Sequence, residues 1–508
     1  MFSGWNRLFV DRKYCKALGI VYKRVRKMNI VFISPIWTDE LGVFSSIARR
    51  RKSQPPLGIL YLSSVARRRN HRVRIIDAEV EKYTMFSLVE EIINGDVDLV
   101  GITAPSMIFH KAISFAKALK ASGFKKPIMV GGAHANIFRK DAFLDCFDFL
   151  FFGESDSSLE SFLSVLEHEG SDFSGINGLI YRDGENIIEN EPVRPIEDLD
   201  AIDFPALDLV RKEKYVMTFA MFKRRSFLPI MASRGCPFKC VFCSEPQTNP
   251  TVRFRSAKNV VDEIEKWNKD LEISHYYFLD SNLTLKRGLV EGICNEIKRR
   301  KLNITFEGMT RANLIDKEIL VLLKSAGLIR LSVGLESADP EILRIIKKEV
   351  SPEEMVEAFR LSDKLGIELA CTVMLGLPGE TRKSVERTIA FVRNTPHIRY
   401  ANFSIANPHL GTEMYEWALT GKHGIRLLEE NMASYRRYGY SPVSVNDLSQ
   451  KDLVYLQKVG LLKIHCTFRR IVGMVRLIGF FYIVPVIFAV IKEYMSNQKG
   501  KNLFHKKL

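Results

Sequence analysis

Cysteine is scarce in this chain, with eight residues in 508, too few to staple a fold by disulfides. A cluster of them is therefore read as a metal or redox site. A uniformly basic body is also missing. The formal net charge is +16, yet residues 1–30 hold eight Lys/Arg against one acid and residues 463–508 hold nine against one. The middle of the chain is left nearly neutral. A nucleic-acid enzyme more often carries its basic stripe across the folded body, so nucleic acid is not the expected partner. The first 27 residues lack the roughly 7–15-residue apolar core of a secretory signal. No apolar run reaches the length of a membrane crossing. The uncharged stretch 477–491 would span about 22 Å as a helix, against a hydrocarbon core of ~30 Å, and Pro485 interrupts it. No G-x-G-x-x-G follows the first strand-like run, which argues against a dinucleotide site.

What is present is a long alternation of strand and helix patterns. From Asn29–Ser34 onward, apolar runs near 73–77, 98–103, 126–131 and 149–153 alternate with helical periodicity, predicting a doubly wound parallel sheet. Asp183-Gly184 reads as a hairpin turn inside a proline-containing connector. A second alternation has strands near 229–233, 276–280, 304–307, 329–334, 369–375 and 400–405. Its helices lie near 258–268, 286–300, 316–326, 352–366 and 381–394. Six strand–helix units suit a partial barrel whose chemistry sits at the carboxyl ends of its strands. The expected fold is α/β, divided as a basic extension (1–27), a doubly wound sheet (28–170), a connector (171–228), a partial (β/α)6 barrel (229–425) and a helical carboxy-terminal region (426–508).

The strongest signal follows the first barrel strand. Cys236, Cys240 and Cys243 form Cys-x3-Cys-x2-Cys, with Phe242 before the last and Gly235 and Pro237 around the first. Three thiolates from one loop hold three corners of a [4Fe-4S] cluster and leave the fourth iron free. Structural zinc is the alternative, but it wants four closed ligands and no fourth Cys or His stands nearby. The other five, Cys15, Cys146, Cys294, Cys371 and Cys466, are scattered and read as packed thiols.

This motif after the first strand of a six-unit barrel resembles the radical S-adenosylmethionine (SAM) superfamily, over about residues 225–425. The resemblance implies SAM chelated on the open iron and cleaved to a 5′-deoxyadenosyl radical. It also implies an electron donor such as a flavodoxin or ferredoxin. The residues that match by position are Asp280 and Asn282 after the second strand, for the SAM amino group, and Arg311 after the third, for its carboxylate. Gly334 and Glu336 end the fourth, facing ribose or amine. Gly376 and Gly379, in Gly-Leu-Pro-Gly-Glu-Thr, end the fifth, facing adenine.

The amino-terminal sheet resembles cobalamin-binding domains fused ahead of radical SAM barrels. The resemblance rests on Gln54-Pro55-Pro56-Leu57-Gly58, Thr103-Ala104-Pro105-Ser106 and Gly131-Gly132-Ala133-His134. It implies that Thr103 and Ser106 reach the nucleotide tail and that Gly131 and Gly132 let the macrocycle lie on backbone. The cobalt-ligating pattern Asp-x-His-x-x-Gly is absent. Its nearest counterpart, Asp77-Ala78-Glu79-Val80-Glu81-Lys82, has no histidine, which leaves a lower histidine ligand in doubt.

These readings predict a cytoplasmic, cobalamin-binding radical SAM enzyme that methylates, cyclises or rearranges an unactivated carbon. The basic ends and the apolar stretch 477–491 predict peripheral attachment to the inner face of a membrane and a lipophilic small-molecule substrate. For the ends, the alternatives are an extension ahead of a start at Met28 and a carboxy-terminal helix packed on the barrel. For function, the alternatives are a radical SAM enzyme without cobalamin, such as one methylthiolating RNA, and a zinc-bound scaffold. The first lacks a second three-cysteine set.

Overall fold

The computed structural model describes residues 26–36, 54–215, 226–249, 251–436 and 438–465, together with 467, 470 and 472. The amino-terminal basic arm up to residue 25, the stretch 477–491, Cys15 and Cys466 lie outside the described residues. Among the described residues no helix is long and apolar enough to cross a membrane.

Two sheets dominate, the first mostly and the second wholly parallel. The first contains β1 (Asn29–Ser34), β2 (Arg72–Asp77), β3 (Leu99–Thr103), β4 (Ile128–Gly131), β5 (Phe149–Phe151), β6 (Leu179–Asp183) and β7 (Asn186–Glu189) in the order β2-β1-β3-β4-β5-β6-β7. The near-continuous apolar run of β1, buried from Ile30 to Ile33, is what a strand covered on both faces requires. One face packs with Phe109, Phe115 and Leu119, the other with Ile59, Val65, Leu159 and Phe162. Strands β1–β5 are parallel. The hairpin expected at Asp183-Gly184 does form, with Gly184 at φ +59°, but it is not a free connector. Its strand β6 pairs antiparallel to β5 and extends the sheet, because Leu179, Ile180 and Tyr181 are apolar enough to be buried there.

The second sheet contains β8 (Phe227–Ile230), then, after the two-residue strands β9 (Ser233–Arg234) and β10 (Arg253–Phe254), β11 (His275–Phe278), β12 (Thr305–Thr310), β13 (Leu328–Glu336), β14 (Glu368–Leu375) and β15 (Tyr400–Ile405). Its order, β8-β11-β12-β13-β14-β15, follows the sequence, and every neighbouring pair is parallel. Crossovers that always step the same way put all helices on one face, the strand order and handedness of an open (β/α)6 barrel. Helices Ala257–Leu271, Arg287–Arg299, Lys317–Ser325, Pro352–Lys364 and Arg382–Asn394 lie within a few residues of the predicted spans. They bury Val261, Ile293, Leu320, Phe359 and Val385 against alternate strand residues such as Phe306, Leu331, Cys371 and Phe403. Beyond residue 425 a short antiparallel ladder joins Ile425–Leu427 to Val443–Val445, and helix Gln450–His465 packs on β15.

Candidate functional site

The three cysteines lie on the loop that leaves β9 and returns through β10. Gly235 has φ +90°, and a Cβ there would stand 2.5 Å from the Thr251 carbonyl oxygen, so only glycine fits before Cys236. Cys243 N–H donates to the Cys240 carbonyl at 3.0 Å, folding the second half of the motif into a turn. All three thiols are half-buried. Burial pushes Cys236 upward and Cys243 to about 11. Two barrel side chains reach the thiols, and both were picked out from sequence. Asn282 Nδ2 lies 3.3 Å from Cys236 Sγ, and Arg311 Nη1 lies 3.4 Å from Cys240 Sγ.

Arg311 carries the clearest sign of an unfilled role. Its guanidinium is 4% exposed and stacks 3.7 Å over the Phe238 ring, within the cysteine motif itself. Yet Nε and Nη2 have no hydrogen-bond partner among the described residues. Buried N–H donors are costly when unpaired, and a forked pair suits a carboxylate.

The other barrel positions are occupied in more local ways. Asp280 turns back on the β8–β9 corner, accepting from Ala232 N at 3.1 Å and from the Ser233 hydroxyl, and burial raises its carboxyl. Glu336 sits at φ +59° beside a register shift between β13 and β14, as bulges at functional edges do. Its Oε1 takes a 3.0 Å ion pair from Lys348 Nζ, both side chains being nearly buried. A Cβ on Gly334 would fall 2.2 Å from that oxygen and 2.7 Å from Nζ, so the glycine makes room for the pair. Lys348 was missed from sequence, where it looks like one more lysine after a short helix. Gly376 and Gly379, at φ +86° and +87°, shape a loop that folds over Glu380. Glu380 Oε2 accepts from Gly376 N at 2.7 Å and Leu377 N at 3.1 Å. Burial nevertheless pushes its carboxyl up to about 8.

A cleft of about 500 Å³ opens between the two sheets. From the first come Thr103, Gly131, Gly132, Gly153 and Glu154, at the carboxyl ends of β3, β4 and β5; from the second come Arg234, Ser244, Glu245 and Asn249 on the cysteine loop. Strand order reverses between β1 and β3, so this is the edge at which an open α/β sheet takes ligands. Gly132 has φ +105° and ψ −171°, a backbone region that is essentially glycine's alone. A Cβ there would stand 3.0 Å from Thr103 Oγ1. Gly131 and Gly132 both line the cleft, so backbone forms this part of its wall. Ser106 does not line the cleft; it begins a 3-10 turn, Ser106–Ile108, packed against residues 432–434. His134 is stacked between Phe109 (3.8 Å) and Phe138 (4.1 Å), and burial pushes its imidazole down to about 4. Asp77 caps the helix Ala78–Glu81 and accepts from the Tyr215 hydroxyl at 2.8 Å, so this loop is closed by the connector. Cys146, Cys294 and Cys371 are buried, as packed thiols should be. Among the described residues, no three His, Cys, Asp or Glu side chains converge on a single-ion site.

Comparison with known proteins agrees with this arrangement. The Radical SAM superfamily matches residues 230–392, and the B12 binding domain matches residues 45–163. An uncharacterized methyltransferase of Pyrococcus horikoshii is 33% identical over 369 residues, 72% of this chain and 78% of that protein. The anaerobic magnesium-protoporphyrin IX monomethyl ester cyclase of Rubrivivax gelatinosus is 27% identical over 77% of this chain and 70% of its own. The radical SAM methyltransferase TsrM from Kitasatospora setae, solved with cobalamin and a [4Fe-4S] cluster bound, shares the fold with a TM-score of 0.64 at 17% identity, covering 81% of each chain. With a cysteine loop on an open barrel, a glycine-walled cleft on the sheet ahead of it, and relatives that are methyltransferases and cyclases, the chain is an enzyme of the cobalamin-dependent radical SAM family, whose cofactors are SAM, an iron–sulfur cluster and cobalamin.

Proposed function

We propose that Cys236, Cys240 and Cys243 hold three irons of a [4Fe-4S] cluster, that SAM sits against Arg311 and Asn282, and that cobalamin fills the glycine-walled cleft. The reaction would functionalise an unactivated carbon of a small molecule, by methylation, cyclisation or rearrangement. The observation that carries this reading is Arg311, which has one donor on a cysteine sulfur and two buried donors with no partner among the described residues. When bound, the cluster supplies the electron that cleaves SAM, and cobalamin supplies a transferable methyl group.

The chain's own residues prepare the site. Arg311 presents a fork for a carboxylate beside the thiols, held by stacking on Phe238. Asn282 donates toward Cys236 and so favours its thiolate form. The Glu336–Lys348 pair holds a charged group at the barrel rim in one orientation. Gly131 and Gly132 line the cleft and bring backbone to its wall, and at Gly132 a Cβ would crowd Thr103 and Ala104. Support for a lipophilic substrate is the relative named for magnesium-protoporphyrin IX monomethyl ester. The division at residues 28–170 and 229–425 is our reading of the domains; the sheet of β8 and β11–β15 supports the second span, whereas the first sheet runs on through β6 and β7 to Glu189, beyond the expected boundary at 170.

Anaerobic reconstitution of the full chain tests the proposal. About four irons per chain, 5′-deoxyadenosine on reduction in the presence of SAM, and a corrinoid spectrum after incubation with hydroxocobalamin are expected. Bound zinc without iron, or no 5′-deoxyadenosine from an iron-loaded sample, would overturn it.

A further inference from the structure

The cysteine loop is fastened at both ends to one carboxylate of the other sheet. Glu154 follows Gly153 at the carboxyl end of β5 and precedes helix Ser155–Glu167. Arg234, two residues before Cys236, places Nη1 3.1 Å from Glu154 Oε2 and 3.5 Å from Asp156 Oδ2. Arg253, on the returning strand, donates through Nη1 to Glu154 Oε2 at 3.0 Å and through Nη2 to Oε1, a bidentate grip. The two arginines face each other in the β9–β10 ladder. Arg253 Nη1 also donates to the Ile196 carbonyl at 2.6 Å, and Ile196 N–H returns a 3.0 Å bond to Glu154 Oε2.

The knot is sheltered: the side chains of Glu154, Arg234, Arg253 and Asp156 are 7–14% exposed. Burial alone would raise the Glu154 carboxyl, yet the Arg253 hydrogen bond and the Arg234 charge bring it below its ordinary value. It is therefore ionised at neutral pH. The ladder also joins directly to the cysteines. Gly235 rests on the Thr251 carbonyl, the same oxygen that accepts from Arg253 Nε at 3.3 Å. Glu154 and Arg234 both line the cleft.

We propose that Glu154 is a positioning residue that sets the separation between the cobalamin cleft and the cluster by clamping both ends of the cysteine loop. The inference rests on the cofactor assignment above. Local packing alone would not tie the loop's two ends to a residue of the other sheet. A buried forked pair tolerates little displacement, because a removed partner leaves a charge uncompensated.

The test is a distance. The full chain, reconstituted with iron and sulfide and saturated with hydroxocobalamin, is reduced to give cob(II)alamin and a reduced cluster. The spin–spin distance distribution between them is then measured by pulsed electron paramagnetic resonance. Wild type should give one narrow distribution. Glu154→Gln, with iron and corrinoid content measured alongside, should give a broader distribution shifted to longer distance. Arg253→Lys, which keeps the charge but loses the fork, should broaden it less. If Glu154→Gln does not fold, Arg253→Lys decides alone. An unchanged distribution in a cofactor-loaded variant overturns the clamp and leaves the cofactor assignment standing. A wild-type chain that takes up neither cofactor overturns both.

Discussion

The two sheets arise from the same strand–helix alternation, yet their carboxyl edges differ in kind. In the first, strand order reverses beside β1, and the exposed edge carries Gly131, Gly132 and Gly153 with few side-chain donors. In the second, the strands run in sequence order and the edge carries Asp280, Asn282, Arg311 and Glu336, each with a definite hydrogen bond, ion pair or sulfur contact. On the proposed cofactor placement, the first edge would recognise by shape, because a large ligand must approach backbone. The second would recognise by charge and donor placement, because a small zwitterion such as SAM offers little area but several charged groups. Perturbations should therefore act differently on the two. Steric changes should matter at the first edge, and loss of donors or thiols at the second.

The largest expected effect is at the thiols. Cys240→Ala removes one corner of the proposed cluster, so iron should fall well below about four per chain and 5′-deoxyadenosine should vanish. Hydroxocobalamin uptake should persist, because the glycine wall is untouched. Iron analysis and a corrinoid spectrum on the same sample check both halves. Loss of corrinoid together with iron would mean that the two edges are not separable. Next comes Arg311→Gln, which keeps a planar donor but loses the charge. A charge-assisted bond is worth about 1.5–3 kcal/mol, so SAM should bind roughly 10- to 100-fold more weakly to the reconstituted protein. Equilibrium dialysis with labelled SAM measures this, and an unchanged affinity would remove Arg311 from the site.

At the first edge, Gly132→Ala introduces a Cβ 3.0 Å from Thr103 Oγ1 in a backbone region that costs non-glycine residues of order 1–3 kcal/mol. Hydroxocobalamin affinity should drop while iron content and SAM binding hold. An absorbance titration shows which. Equal loss of SAM binding would contradict the division between shape and charge.

Much of this was legible in the sequence, and the parts that were not share a cause. Strand alternation is local, so both sheets and the helix positions could be read within a few residues. The cysteine spacing, Asn282 and Arg311 follow strand ends, and there the structure brings them together. The pairings that escaped are long-range. Glu154 and Arg253 are 99 residues apart, and nothing near either one announces the other. Lys348 is buried only because Gly334 leaves space for it. Asp280 falls where a contact to SAM was expected, but its oxygens serve the β8–β9 corner, a use set by a two-residue strand too short to show any period. The hairpin turn was visible at Asp183-Gly184, whereas its attachment to β5 depends on which apolar residues β5 leaves uncovered.

Effects on stability concern a buried acid near the carboxyl end of each sheet. Asp77, last in β2, is pushed up to about 6 by burial, against the Tyr215 hydroxyl bond that favours its charged form. Glu380, in the loop after β14, is pushed up to about 8 by burial, against two backbone donors. A carboxyl raised in the folded state keeps its proton where the unfolded chain has lost it. Each acid therefore lowers stability as pH rises from its unfolded value to its folded one, and adds no further dependence above that. For Asp77 the window closes near pH 6, for Glu380 near pH 8. Glu380→Gln keeps an oxygen for Gly376 and Leu377 and removes the titration. Its thermal midpoint should fall less steeply than wild type between pH 5 and 8, with a relative gain of roughly 3–4 kcal/mol in stability at the upper end. Asp77→Asn should flatten only the part below about pH 6, by less. If both variants changed the profile over the same window, the two edges would share one titrating unit. Profiles parallel to wild type would mean that neither acid is held neutral by its surroundings.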